Sequence, residues 1–379
     1  MTSQTFGVQD LTLTSVSGSN VDSMTQLHDS YDLAGLTLPN RVVMAPMTRV
    51  RSNPEGLATA STATYYAQRA SAGLIVSEGV HPHVEGQSNP LTPGLATDEQ
   101  AASWVQVTDA VHNHGGRIFA QLMHGGRVGH PDNTGGLQPV GPSAVAAPGR
   151  GFTPKGPQDF PTPRALSGDE VVEHAASYGE AAARGIGAGF DGVELHGANG
   201  YLIAQFLSSN ANLRTDSYGG SIENRVRFAV EATAGAVEKV GGHRVGIRLS
   251  PDSGIWGVEE TESRELYLAL LEQLSPLGLA YVHLEATTDD DTLLALRKAW
   301  DGTLIMNPAR PGGPTPAGPE DARRWLDNGA DLISFGRAFI ANPDLVERLR
   351  DGLPLAEADP ATFYAGGDRG YIDYPTYRA

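Results

Sequence analysis

Residues 191–225 read DGVELHGANGYLIAQFLSSNANLRTDSYGGSIENR. The stretch opens, after a glycine-rich turn, on Phe190-Asp191-Gly192-Val193-Glu194-Leu195, a short apolar run of the length and β-branched content of a buried parallel strand. Polar chemistry begins where that strand stops. His196 and Asn199 stand three apart and Tyr201 follows. If the chain turns there, an imidazole N–H and an amide N–H₂ can converge on one oxygen with a phenol alongside. Two neutral donors and a proton source are what polarising a carbonyl and protonating its neighbour require. The connection from Ser208 to Ser221 is too polar for core and too long for a turn, so it reads as a functional loop at the mouth of a site.

Composition narrows the classes. The 379 residues suit one large α/β domain, and a hydrophobic content of 40% supplies a sizeable core. A formal charge of −17 lacks the basic footprint that nucleic acid or an anionic membrane demands, so neither is an expected partner. With no cysteine, there can be no disulfide, thiolate metal site, iron–sulfur cluster or Cys nucleophile. Redox chemistry must then belong to an organic cofactor, or to a metal held by His and carboxylates. No apolar run reaches membrane-span length and the first residues do not read as a secretory signal, so a cytoplasmic protein is expected.

Residues 1–23 form a Ser/Thr-rich extension expected to be poorly ordered, and residues 24–379 read as a single domain. A hairpin is expected over Leu33–Asn40. Strand-like runs then recur at Val42–Ala45, Leu74–Glu78, Ile118–Leu122, Gly192–Leu195, Val245–Leu249, Tyr281–Glu285, Leu304–Met306 and Leu332–Phe335. Amphipathic stretches such as Glu99–His114, Gly168–Gly185, Glu223–Val240, Glu262–Gln273, Asp290–Ala299 and Pro319–Asn328 alternate with them. Eight such repeats make a (β/α)₈ barrel, the TIM-barrel fold, with the hairpin plugging its bottom and a Gly/Pro-rich insertion over 135–163.

In that fold the site lies at the C-terminal ends of the strands. The first strand delivers Ala45-Pro46-Met47-Thr48-Arg49, the third Gln121-Leu122-Met123-His124, the fifth Arg248, the eighth Gly336-Arg337. Gly79, ending the second, permits close approach of a planar ligand, and its neighbour Glu78 reads as a core carboxylate bonded to backbone. A charged Arg248 within an apolar strand needs a partner, either a carboxylate or an anionic ligand. Gly336-Arg337, opening a helix after the eighth strand, suits a phosphate. His81 and His83 allow an alternative, a metal-dependent hydrolase on the same barrel, with His196, Asp252 or His283 as further ligands. A Schiff-base aldolase is disfavoured, because Lys155, Lys239 and Lys298 sit on the insertion and helices.

The string from His196 through Gln205-Phe206-Leu207 to Asn212-Leu213-Arg214-Thr215-Asp216-Ser217-Tyr218-Gly219-Gly220-Ser221-Ile222-Glu223-Asn224-Arg225 resembles the central signature of the old yellow enzyme family, FMN-dependent ene-reductases. The resemblance extends from about Asp32 to Tyr377. It implies bound FMN, which agrees with the absence of a dinucleotide fingerprint, and NADPH or NADH as hydride donor. It further implies reduction of activated C=C bonds (enones, enals, maleimides, nitroalkenes) in a ping-pong cycle, with no metal. By the same resemblance, Pro46, Met47 and Thr48 lie along the flavin, Gln121 pairs with its pyrimidine edge, Arg248 stabilises negative charge there, Gly336 and Arg337 take the phosphate, and Phe363 covers the rim. His196 and Asn199 hold the substrate oxygen, Tyr201 protonates the α-carbon, and Tyr364 faces substrate. Met123 and Asn89 stand where relatives often carry Trp and Tyr, which implies a roomier pocket.

Overall fold

A computed structural model describes residues 26–308 and 316–378. The extension over 1–23 and positions 309–313 of the loop after the seventh barrel strand lie outside the described residues. A hairpin of β1 (Tyr31–Leu33) and β2 (Leu36–Leu38) precedes a closed parallel barrel. Its strands in chain order are β3 (Val42–Met44), β4 (Leu74–Val80), β5 (Ile118–Leu122), β10 (Gly192–Gly197), β11 (Val245–Leu249), β12 (Tyr281–Glu285), β13 (Leu304–Asn307) and β14 (Leu332–Phe335), with β5 pairing β10 and β14 pairing β3. Between β5 and β10 the insertion contributes short strands β6 (Val140–Gly141) through β9 (Arg164–Ala165), paired as β6 with β9 and β7 (Arg150–Gly151) with β8 (Gln158–Asp159).

Barrel strands are covered on both faces, hence their nearly unbroken Val, Ile and Leu content. At the floor, Val43, Leu74, Val76, Phe119, Tyr281, Ile305 and Leu332 pack with Leu33 and Leu38 of the hairpin, so the hairpin closes the barrel from below. A larger apolar layer lies between strands and helices. The helices are sharply started. Thr97 and Ser167 form capping boxes with Gln100 and Glu170, each cap contributing about 1 kcal/mol. Helix Gly168–Gly187 buries Val171, His174, Ala175 and Tyr178, positions spaced for one face. Sequence periodicity passes over three shorter helices, Ala60–Ala67, Leu202–Leu207 and Leu345–Asp351. Among the described residues no helix is long and apolar enough to cross a membrane.

Candidate active site

The strand ends open into a cavity of about 640 Å³. Pro46, Met47, Thr48, Gln121, Met123, His196, Asn199, Tyr201, Arg248, Gly336, Arg337, Phe363 and Tyr364 all line it. Gly79 does not. A Cβ there would come within 2.6 Å of the Met123 sulfur, so the thioether, rather than a ligand, occupies the space that glycine leaves. The loop over 208–221 is also placed differently from the expectation, since none of its described residues lines the cavity. Its polar side chains brace neighbouring backbone instead: Asn210 Nδ2 donates to the Gly257 carbonyl at 2.9 Å and Arg214 Nη1 to that of Pro142 at 3.1 Å.

Barrel register builds the floor of the site from polar and charged groups that the strands hold in adjacent rows. His196 is level with Arg248, and Arg248 with His283. Gln121 Nε2 donates to Glu194 Oε1 at 2.8 Å and lies 3.2 Å from His196 Nδ1. With Nδ1 accepting, the ring proton sits on Nε2. Burial, reinforced by Arg248, pushes the His196 pKa down to about 3, so the imidazole is a neutral donor. His283 Nδ1 is 2.8 Å from Glu194 Oε2, and a carboxylate only accepts, so His283 Nε2 is the acceptor for Ser334 Oγ at 2.8 Å. Burial opposes ionisation of Glu194, but His283, Arg248 and Gln121 together hold its pKa below the usual value. Arg248 Nη2 donates to Asn307 Oδ1 at 2.8 Å and lies 3.4 Å from Glu285 Oε2. The partner that a buried arginine needs is therefore present within the barrel.

Asn199, two residues past the strand, adopts the left-handed conformation (φ 56°), its N–H donating to Ser250 Oγ at 2.8 Å. Its Oδ1 is buried without a partner. Tyr201 packs beside Phe160 and Trp256. Burial pushes its phenol up to about 12, against a hydrogen bond with the Trp256 side chain. Gly200 makes that approach possible, because a Cβ there would lie 2.3 Å from the Ile255 carbonyl oxygen. At the mouth, the exposed rings of Phe152 and Tyr364 stand 6.0 Å apart.

Glu78 is buried and accepts the Arg49 N–H at 3.3 Å; burial raises its pKa to about 7. Arg49 itself ties the C-terminal segment to the barrel, donating to the carbonyls of Phe363 at 3.1 Å and Gly370 at 2.8 Å. Sequence reading missed Trp256, Phe152, Phe160, Glu285 and Asn307 as lining residues. Asn307 alone carried a signal, being the polar end of a barrel strand. The His81 and His83 chelate is not formed: Gln100 Nε2 lies 3.2 Å from His81 Nε2, while His83 turns toward Glu85.

The donor set fits FMN. Gln121 and a buried Arg248 suit the pyrimidine edge, the uncharged Pro46–Thr48 segment suits the ring plane, and Arg337 at the end of β14 suits a phosphate. Comparison with known proteins agrees. The sequence profile of the NADH:flavin oxidoreductase / NADH oxidase family matches residues 27–356. The probable flavin mononucleotide-dependent alkene reductase of Leishmania infantum is 38% identical over 356 residues, covering 90% of this chain and 95% of that protein. The solved old yellow enzyme homologue from Zymomonas mobilis superposes with a TM-score of 0.88 at 39% identity, covering 92% of this chain and 99% of the other. Morphinone reductase in complex with tetrahydroNAD gives 0.86 at 44% identity, covering 92% and 97%.

Proposed function

The chain belongs to the NADH:flavin oxidoreductase / NADH oxidase family and is an FMN-dependent alkene reductase of the old yellow enzyme type, and from that premise we propose how its residues divide the work. The hydrolase alternative has no support in these relatives. Bound FMN supplies a two-electron carrier between a reduced nicotinamide and an activated alkene. The observation that carries the assignment is that neutral His196, Asn199 and a protonated Tyr201 face the same cavity as Gln121, Arg248 and Arg337.

His196, through Nε2–H, and the Asn199 amide hold the carbonyl or nitro oxygen of the alkene. Because both donors are neutral and fixed beforehand, they favour charge as it develops on that oxygen. Tyr201 holds its proton at Oη for the α-carbon, and a pKa near 12 keeps it protonated through the physiological range. Trp256 orients the phenol. Gln121 and Arg248 receive the pyrimidine edge, and Gly336 with Arg337 the phosphate. Phe152, Tyr364 and Phe363 border the mouth.

Anaerobic stopped-flow measurement of the two half-reactions in Tyr201→Phe tests this reading. Reoxidation by an enone is expected to slow by about 10²–10⁴-fold, while reduction by the nicotinamide stays nearly unchanged. Equal slowing of both, or none with the enone, removes Tyr201 from the acid role.

A further inference from the structure

The loop after β11 is held in a conformation that its side chains disfavour. Asp252 (φ 57°), Trp256 (φ 56°) and Glu262 (φ 56°) all adopt the left-handed backbone without being glycine. Each such residue is costly, and it persists only where surrounding contacts over-determine it. The strain aims one side chain. Trp256 lines the cavity, meets Phe160 edge-on with ring centroids 5.3 Å apart, and hydrogen-bonds Tyr201. An indole N–H only donates, so Tyr201 Oη accepts and the phenolic hydrogen is left free to point at substrate.

Much of what over-determines this turn comes from the polar loop that begins at Ser208. Asn210 Nδ2 donates to the Gly257 carbonyl at 2.9 Å, and Asn210 Oδ1 accepts the Glu259 N–H at 3.1 Å. A carboxamide offers a donor and an acceptor side by side, and here each meets the backbone group it can bond. Beside it, the Ser209 N–H donates to the Glu259 carbonyl at 2.8 Å and Ser209 Oγ accepts the Thr261 N–H at 3.3 Å. On the other side of the turn, Glu260 accepts the Asp252 N–H at 2.9 Å and the Tyr267 hydroxyl at 2.8 Å. Asn210 does not line the cavity. It is tied to the acid all the same, because Tyr201 is the N-cap of helix Leu202–Leu207 and Asn210 follows the C-terminus of that helix. One short helix therefore carries the phenol at one end and the grip on its partner's turn at the other.

We propose that Asn210 is a positioning residue for proton transfer: by gripping Gly257 and Glu259 it keeps Trp256 in its left-handed turn and so holds the indole N–H on Tyr201 Oη. The proposal rests on the reading of Tyr201 as the acid. Without the grip the turn relaxes, the indole leaves Oη, and the phenol loses both a fixed orientation and the donor that makes it more acidic. The effect is confined to protonation of the α-carbon. His196 and Asn199 hold the substrate oxygen without help from this loop, and the groups assigned to the nicotinamide half-reaction do not touch it. A polar loop that puts no described side chain into the cavity thus has a role in the reaction.

The test compares FMN-loaded parent, Asn210→Ala and Asn210→Asp. The aspartate keeps the volume and the acceptor for Glu259 but sets a second oxygen against the Gly257 carbonyl. In single-turnover reoxidation by an enone, both variants are expected to lower the limiting rate about three- to tenfold. The enone concentration at half-maximal rate, and reduction by the nicotinamide, should stay as in the parent. In a Trp256→Phe background, Asn210→Ala should slow reoxidation no further, because the two residues act in series. Amide hydrogen exchange of the oxidised protein, read by mass spectrometry, should be faster at Glu259 in Asn210→Ala. A parent-like limiting rate in both Asn210 variants beside a slow Tyr201→Phe overturns this proposal alone, whereas a parent-like Tyr201→Phe overturns the acid assignment and the proposal with it. Additive losses in the double variant, equal slowing of both half-reactions, or unchanged exchange at Glu259 also overturn it.

Discussion

The floor and the mouth of the cavity are built by different means. At the floor, Gln121, Glu194, His283, Arg248 and Asn307 stand on five neighbouring strands, and register alone brings them within hydrogen-bonding distance. At the mouth, Phe152, Trp256 and Tyr364 hang from connections whose placement depends on a few backbone contacts. Asn133 Nδ2 donates to the Phe152 carbonyl at 2.9 Å, and Arg127 Nη2 to that of Trp256 at 3.0 Å. The floor is therefore costly to alter and the mouth is open to variation. His196 and Asn199 straddle the boundary, one on a strand and one just past it.

The sharpest way to break this contrast is at Glu194. Removing one member of a buried ionic network leaves the others uncompensated, so Glu194→Ala should cost about 3–5 kcal/mol of stability, read as a lowered urea midpoint. A midpoint within error of the parent would show that the floor is not held by charge. Next in size, His196→Ala and Asn199→Ala should each slow the enone half-reaction by the equivalent of about 2.7–4 kcal/mol. Stopped-flow traces that match the parent in both variants would place the substrate oxygen elsewhere.

Arg337→Ala removes a charge-assisted bond worth about 1.5–3 kcal/mol, so FMN affinity should drop tenfold or more. Fluorescence titration of the stripped protein measures it, and unchanged affinity would move the phosphate to other groups. The smallest effect belongs to the mouth. Trp256→Phe deletes one hydrogen bond to Tyr201, about 0.5–1.5 kcal/mol. Losing it raises the phenol pKa further and weakens the acid, so enone turnover should fall by roughly tenfold or less. In the parent, His196 is pushed to about 3 and Tyr201 to about 12, so neither titrates between about pH 5 and 9 and the enone step should be flat there. A bell within that range, in single-turnover rates, would assign the chemistry to another group.

Local pattern was enough for the eight strands and most of the long helices, because burial on both faces forces continuous apolar runs and one-sided burial forces helical periodicity. The string from His196 to Arg225 likewise placed His196, Asn199 and Tyr201 together, since all three leave one strand end. By itself the sequence determined the (β/α)₈ barrel and the family, and it named residues that the structure gathers around one cavity. It could not say what Arg248 meets, because Glu285 and Asn307 reach it from other strands through register. Nor could it say that Met123 fills the space beside Gly79, that Phe152 stands at the mouth, or that Asn210 reaches the turn carrying Trp256. Those are contacts between elements distant in sequence. Periodicity records which face of an element is buried, and only the tertiary structure decides what that face is buried against.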